Sequence, residues 1–324
     1  MFEKVLRLFL IYILCNMIRW INFILLSLSI PFFANSQTSE DVITISGMVF
    51  NKETTQPLQY VAVEIEGKNI GVLTDKTGLF LLDINKTVST DSLSLRILGY
   101  ELKKISIKDI LLKNDNSIFL TPLTFTLPEV TVSVDKNMPK IMLGINSKRN
   151  SVFFMRVGNQ LAVFCENKNQ SIDGRISKVR FYLGREGEHQ TPFRIHVYSV
   201  NLKDTTPGNE LLNENLIVFS DKRKWFEIDI EKYKINVPPE GFFVSMEWIY
   251  TDDSYFFMDE PARKKYRSKQ YGQTLGAIQS SEFGNITYIK SLGGEWVKFI
   301  NPFLQKENKS INALIGAQVT IYSE

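Results

Sequence analysis

From residue 43 to about residue 134, apolar and polar positions alternate in short runs divided by turn-forming residues. "ITISGMVF" is followed by the loop "NKETTQPLQ", and "VAVEIEG" then places Val61, Val63 and Ile65 on one face. "IGVLTD", "GLFLLDI", "LSLRILGY", "KKISI" and "SIFLTPL" continue the same rhythm. Side chains two apart share a face of a strand, so the pattern predicts a small antiparallel sandwich of about seven strands. Between two of the runs lies the polar stretch Thr74-Asp75-Lys76-Thr77-Gly78. Asp75, at the head of a four-residue turn, can accept hydrogen bonds from backbone N–H groups two or three residues on, and Gly78 at its end tolerates positive φ. Asp75 and Gly78 are therefore read as a structural turn that returns Phe80 and Leu82 to the core face. No second carboxylate or histidine stands near Asp75 in sequence to make it a ligand or an acid.

Residues 135–150, "DKNMPKIMLGINSKRN", interrupt the rhythm with polar residues, Pro139 and Gly144, and read as a linker. Longer strand signals resume over residues 151–324, among them "NQLAVFCEN", "GRISKVRFYLG", "PFRIHVYSVN", "KWFEIDI", "GFFVSMEWIY" and "ALIGAQVTIY". In "RISKVRFYLG", Ile176, Val179, Phe181 and Leu183 face inward, with a slip of register near Lys178. In "PFRIHVYSV", Phe193, Ile195, Val197 and Ser199 share one face and His196 points to the other. Nine or more strands without a long helix predict a larger, jelly-roll-like β-sandwich behind the first module, so the fold class is all-β.

The first 36 residues differ from the rest. Two apolar runs, "VLRLFLIYILC" and "INFILLSLSIPFFA", flank Asn16-Met17-Ile18-Arg19. The second has a secretory layout: Arg19, an apolar core, then Ala34-Asn35-Ser36 before Gln37. Residues 1–36 are thus expected to be a signal peptide, with Met17 a candidate true start, and residues 37–134 the first module. The alternative is a membrane anchor, but the apolar core is short for a span of about 20 residues. After cleavage no stable membrane span is expected.

Charge and cysteine narrow the partners. The whole chain carries +3, and residues 1–36 hold Lys4, Arg7 and Arg19 against Glu3, which leaves the mature chain near +1. A net charge so close to zero argues against nucleic acid as a partner. Cys15 lies in the leader, so Cys165 stands alone in the mature chain, without an internal disulfide or a cysteine-based metal site.

The spacing of Gly47, Val49, Pro57-Leu58, Ala62, Val63, Ile65, Gly67, Gly71, Thr74-Asp75 and Gly78-Leu79-Phe80 resembles the carboxypeptidase regulatory-like domain, a transthyretin-like β-sandwich. "ILGYELKKISI" and "LTFTLPEVTVS" resemble the later strand pair and the exit of that family, which in outer-membrane receptors of Bacteroidota leads into a plug. A receptor of that kind needs a barrel of about 22 strands. The 190 residues after residue 134 are too few for plug and barrel, so the chain is expected to carry the module without the transporter. The residues for a zinc carboxypeptidase are not in place either: His189 and His196 lie in no H-x-x-E or H-E-x-x-H arrangement. The second module resembles, in strand rhythm, β-sandwich domains of secreted Bacteroidota proteins, some related to carbohydrate-binding modules. "VYSVN", "WFEIDIEKYKINVPPEGFFVSMEWI" and "SLGGEWVKF" carry that likeness.

Candidate chemistry is sparse. No nucleophile elbow, P-loop or dinucleotide fingerprint is present, and Gly293-Gly294 before Trp296 reads as a hairpin turn. Asp252-Asp253 and Asp259-Glu260, around "SYFFM", have the hard oxygens that Ca²⁺ takes but read as acidic strand ends. Neither a metal nor a cofactor is expected, and no catalytic residue is assigned. Trp225, Tyr250, Tyr255 and Trp296 are the candidate ligand-binding residues, because flat aromatic faces stack on sugar rings. The competing use is sheet packing, which is how Trp248 in its apolar strand is read. If the four stack on a glycan, at least two should form one exposed platform for a neutral ligand.

These readings converge on an exported, non-enzymatic, two-module β protein that binds or scaffolds at the bacterial cell envelope: periplasm, outer-membrane surface or outside. Its partner would be a glycan or an envelope protein. The alternative is an accessory protein of glycan or peptide processing, carbohydrate-binding or hydrolase-associated.

Overall fold

The computed structural model describes residues 42–113, 116–123, 138–186, 191–220, 222–249, 255–257 and 269–322. The leader, the segment 124–137 with the sequence read as the family's exit, Tyr250, the paired acids at 252–253 and 259–260, and most of the basic run at 262–269 lie outside the described residues. Strands dominate what is described, with two short helices, Ile107–Leu111 and Pro302–Lys306. None of the described helices is long and apolar enough to cross a membrane.

Seven strands form the first module: β1 Val42–Asn51, β2 Ala62–Ile65, β3 Ile70–Leu73, β4 Leu79–Asn85, β5 Ser92–Arg96, β6 Lys103–Ser106 and β7 Ser117–Leu120. They pair as β4-β1-β7 and β3-β2-β5-β6, two sheets that close on one core. The alternation seen in the sequence is the cause: Ile45 and Val49 of β1, Val63 and Ile65 of β2, Phe80 and Leu82 of β4, and Leu93 and Leu95 of β5 all point between the sheets.

The turn ahead of β4 is built by Asp75. Its Oδ1 accepts from Thr77 N–H at 2.8 Å, Thr77 Oγ1 at 2.7 Å and Leu79 N–H at 3.0 Å. Gly78 sits at φ +78°, and a Cβ there would meet the Val49 carbonyl at 2.5 Å. Asp75→Asn keeps the accepting oxygen and is expected to be mild. Gly78→Val meets both the left-handed backbone penalty and the carbonyl, and should cost about 2–3 kcal/mol in urea unfolding. A severe loss from Asp75→Asn reversed by added metal would overturn the turn assignment.

The second module is a two-sheet sandwich. One sheet runs β13 (Pro207–Glu210), β12 (Phe193–Val200), β16 (Phe242–Trp248), β10 (Gln160–Cys165), β20 (Thr287–Lys290) and β21 (Val297–Lys298), with β14 (Leu216–Val218) also on β12. The other runs β22 (Ser310–Ala313), β19 (Leu275–Ser280), β11 (Gly174–Leu183), β23 (Ile315–Ile321) and β8 (Lys140–Gly144), with β15 (Lys224–Asp229) on β11 and β9 (Ser151–Phe153) on β19. The chain crosses between the sheets at nearly every long strand, as in a jelly roll. A separate hairpin pairs β17 (Tyr255–Phe257) with β18 (Lys269–Tyr271).

Ile176, Val179, Phe181 and Leu183 are fully buried, and the register of β11 against β23 shifts between Ile176 and Lys178. Phe193, Ile195 and Val197 of β12 join them in the core, while Ser199 is half-buried. Trp248 is fully buried and its indole N–H donates to the Gln273 carbonyl at 2.6 Å, so it is a core residue.

The stretch at 135–150 is not only a linker. Residues 140–144 form β8, paired along β23 from Thr320↔Lys140 to Gly316↔Gly144, and Ile145 is fully buried. The second sandwich therefore begins at residue 140 rather than 151. "KIMLGI" carries enough apolar side chains to complete the sheet; its polar flanks and Gly144 disguised a strand as an arm.

Candidate functional site

The residues that build the site alternate with core residues along β12, and sequence alone shows them as a solvent face. Arg194, His196 and Tyr198 point outward from β12 because Phe193, Ile195 and Val197 point inward. Antiparallel pairing then aligns a polar row across four strands: Arg194↔Glu247 on β16, Glu247↔Gln160 on β10, and Gln160↔Lys290 on β20. The same face turns aromatic farther along, where Phe243, Tyr288 and Ala162 pack with Phe164, Tyr198 and Trp296.

This outer face is covered by the first module. Tyr60 and Leu73 meet Ile249 in an apolar cluster with Ala62, Val157, Ile217 and Leu292. Arg194 Nη2 donates to the Tyr60 carbonyl at 2.8 Å. The Ser291–Gly294 turn docks into the β2–β3 hairpin: Gly293 N–H donates to Glu64 Oε2 at 2.8 Å, and Asn69 N–H donates to the Gly293 carbonyl at 3.2 Å. Gly293-Gly294 is thus a turn, as its sequence reads, and also a clasp between the modules.

Beneath this seam lies a buried polar network. Glu247 Oε2 accepts from Arg194 Nη1 at 2.9 Å and faces His196 Nε2 at 2.8 Å; His196 Nδ1 faces Glu210 Oε2 at 2.6 Å. Glu210 Oε1 accepts from Val197 N–H at 2.9 Å. A neutral imidazole has one N–H, whereas both ring nitrogens here meet carboxylate oxygens, so the geometry favours the imidazolium. Burial by itself lowers the His196 pKa, but the charge and hydrogen bond of Glu210, then those of Glu247, raise it above its ordinary 6.5. Burial raises the Glu247 carboxyl, yet Arg194 first and His196 after it hold it below its ordinary 4.5. The Tyr198 phenol, stacked on His196 with ring centroids 5.3 Å apart, is pushed well above 10 by burial and then by the charges of Glu210 and Glu247.

The signs fix a pH window. The raised His196 contributes stability that is complete below pH 6.5 and lost as pH rises through its folded-state value. The lowered Glu247 contributes above pH 4.5 and loses it as pH falls through its own. Urea midpoints between about pH 5 and 9 should fall above neutrality in the wild type and stay flat over the same range in His196→Gln. Parallel declines in both proteins would place the titration elsewhere.

Where the two modules diverge, a cleft of about 410 Å³ opens. Glu64, Arg96 and Tyr100 line it from the first module, and His196, Lys290 and Trp296 are among its lining residues from the second. Glu64 is ion-paired with Arg96. Among the described residues no group of three His, Cys, Asp or Glu side chains is placed to hold a metal ion.

The aromatic residues singled out from sequence do not share one place. Trp296 is half-buried in the cleft, edge-to-face with Tyr198 at 5.7 Å. Trp225 lies on β15, in the opposite sheet, opposite Tyr182, with the Arg180 guanidinium 3.7 Å over its ring. Trp225 and Trp296 therefore do not form one platform, because Trp225 sits on β15 of one sheet and Trp296 in the turn between β20 and β21 of the other. Tyr255 lies in β17, and Tyr250 outside the described residues. His196, Arg194, Glu210 and Glu247 were missed as a group, since 14 and 51 residues separate His196 from its two carboxylates. The available signal was the polar residues at alternate positions of otherwise apolar strands: Arg194 and His196 on β12, Ser245 and Glu247 on β16.

Residues 45–132 match the family model of the CarboxypepD_reg-like domain. The module read from the strand and turn pattern is thus a carboxypeptidase regulatory-like domain, and the match ends before the second sandwich. No curated protein matches the chain in sequence. Among solved structures the chain is similar to a clostridial cysteine protease, Cwp84, after propeptide cleavage, with TM-score 0.37 and 12% identity. That likeness covers 87% of this chain and 65% of the other, so the chain spans less than two thirds of that protein's length.

Proposed function

We propose that this protein is an exported, non-enzymatic binding protein of a Bacteroidota cell envelope, and that it takes a glycan into the cleft at the seam of its two modules. The observation that supports this most directly is the cleft itself. It has the size of a small-ligand site, a half-buried tryptophan in its lining, and contributions from both modules. Its carboxylates favour binding over catalysis. Glu64 is held by Arg96 and the Gly293 N–H, Glu210 by His196 and two backbone N–H groups, and Glu247 by Arg194 and His196. Groups held so tightly position the seam, and none of these three carboxylates is free to act as a general acid or base.

Intrinsic fluorescence titration with oligosaccharides, neutral and acidic, tests the reading. Binding should quench Trp296, and Trp296→Ala should abolish the response while Trp225→Ala keeps it. A wild-type protein that binds no saccharide but retains an envelope protein in pull-down would replace the glycan reading with a protein partner. Export has its own check: N-terminal sequencing of the mature protein should begin at Gln37.

A further inference from the structure

Counting charge partners around the cleft leaves one cation over. Arg194 and His196 are satisfied by Glu247 and Glu210. Arg96 is satisfied by Glu64. Lys290, half-buried at the end of the polar row, has no ion pair or hydrogen bond among the described residues. Among its carboxylate neighbours Glu64 and Glu247 are engaged as above, and Glu295, exposed on the chain beyond β20 and outside the cleft lining, acts on it through charge without an ion pair. Four cations (Arg96, Arg194, Lys290 and the imidazolium His196) therefore face three carboxylates (Glu64, Glu210, Glu247) in the cleft lining. Burial first, and the nearby charge of Arg96 second, push the Lys290 ammonium below its ordinary 10.5. Such a site holds uncompensated positive charge in a partly desolvated place, where an incoming anion is attracted more strongly than at an open surface.

We propose that the cleft selects an acidic saccharide, with Lys290 pairing the sugar carboxylate beside Arg96 while Trp296 packs on the ring. This rests on the glycan reading above and departs from a neutral ligand. A phosphate monoester is disfavoured by the same count, since it brings close to two negative charges where one surplus positive charge matches one carboxylate.

The test compares free-acid oligouronides (galacturonate, glucuronate and mannuronate trimers) with their methyl esters, which lose the negative charge and gain one methyl group per residue. Titrations use the mature full chain at low and at raised salt. The wild type should prefer one free acid over its ester about 10-fold, and the preference should shrink with salt. Lys290→Met should bring acid and ester within about twofold of each other while ester binding persists. Lys290→Arg should keep the preference, and matching thermal melts would show that the variants are folded. Equal wild-type affinity for acid and ester overturns the acidic-sugar inference and leaves the glycan reading in place. Binding of neither, with tripeptides bound through a free C-terminal carboxylate, overturns both.

Discussion

Glu247→Ala is expected to destabilise the protein by about 3–5 kcal/mol, the cost of leaving buried charge without its partner. Arg194 is 3% exposed and His196 is 6% exposed, and both use the same Glu247 oxygen. Removing it strands two cations under the first module, with Arg194 left the Tyr60 carbonyl and His196 left Glu210. Glu247→Gln keeps an acceptor and should cost less. The Arg194→Leu/Glu247→Leu double variant removes both members of a buried pair and should be less damaging than Glu247→Ala alone, because no charge is then left unpaired. Urea denaturation at pH 6 measures all three. A loss below about 1 kcal/mol for Glu247→Ala would mean that water reaches the network and screens it.

Gly293→Val should separate the modules. Gly293 has φ +70°, and a Cβ there would lie 2.4 Å from the Ile70 carbonyl and 2.6 Å from that of Ile65. Both are backbone atoms of the β2–β3 hairpin and cannot swing aside like a flexible side chain. The substitution must then move the Ser291–Gly294 turn off the hairpin, with loss of the Glu64 and Asn69 hydrogen bonds. A cost of about 3 kcal/mol or more is expected from left-handed strain and overlap together. The two modules have separate apolar cores, so each should stay folded after the seam opens. Limited proteolysis should cut between them, and unfolding should split into two transitions. One cooperative transition at the wild-type midpoint would show that the clasp does not hold the modules together.

Strand periodicity and turn chemistry were local enough for the sequence to determine both sandwiches. Val61, Val63 and Ile65 had only one face to bury, Asp75 and Gly78 only one turn to make, and even the register slip near Lys178 was visible as a break in the alternation of β11. The strand at 140–144 escaped because its polar flanks resembled a linker and its partner, β23, lies some 170 residues later. The site was a different matter. Arg194, His196, Glu247 and Lys290 occupy positions that strand alternation assigns to solvent, and in an isolated sandwich they would be solvated. Only the docking of the first module on that face desolvates them, and only the β12-β16-β10-β20 order brings them into one row. Which outward face of a sheet becomes buried depends on contacts between residues more than a hundred positions apart, such as Arg194 with Tyr60, and no local pattern encodes that distance.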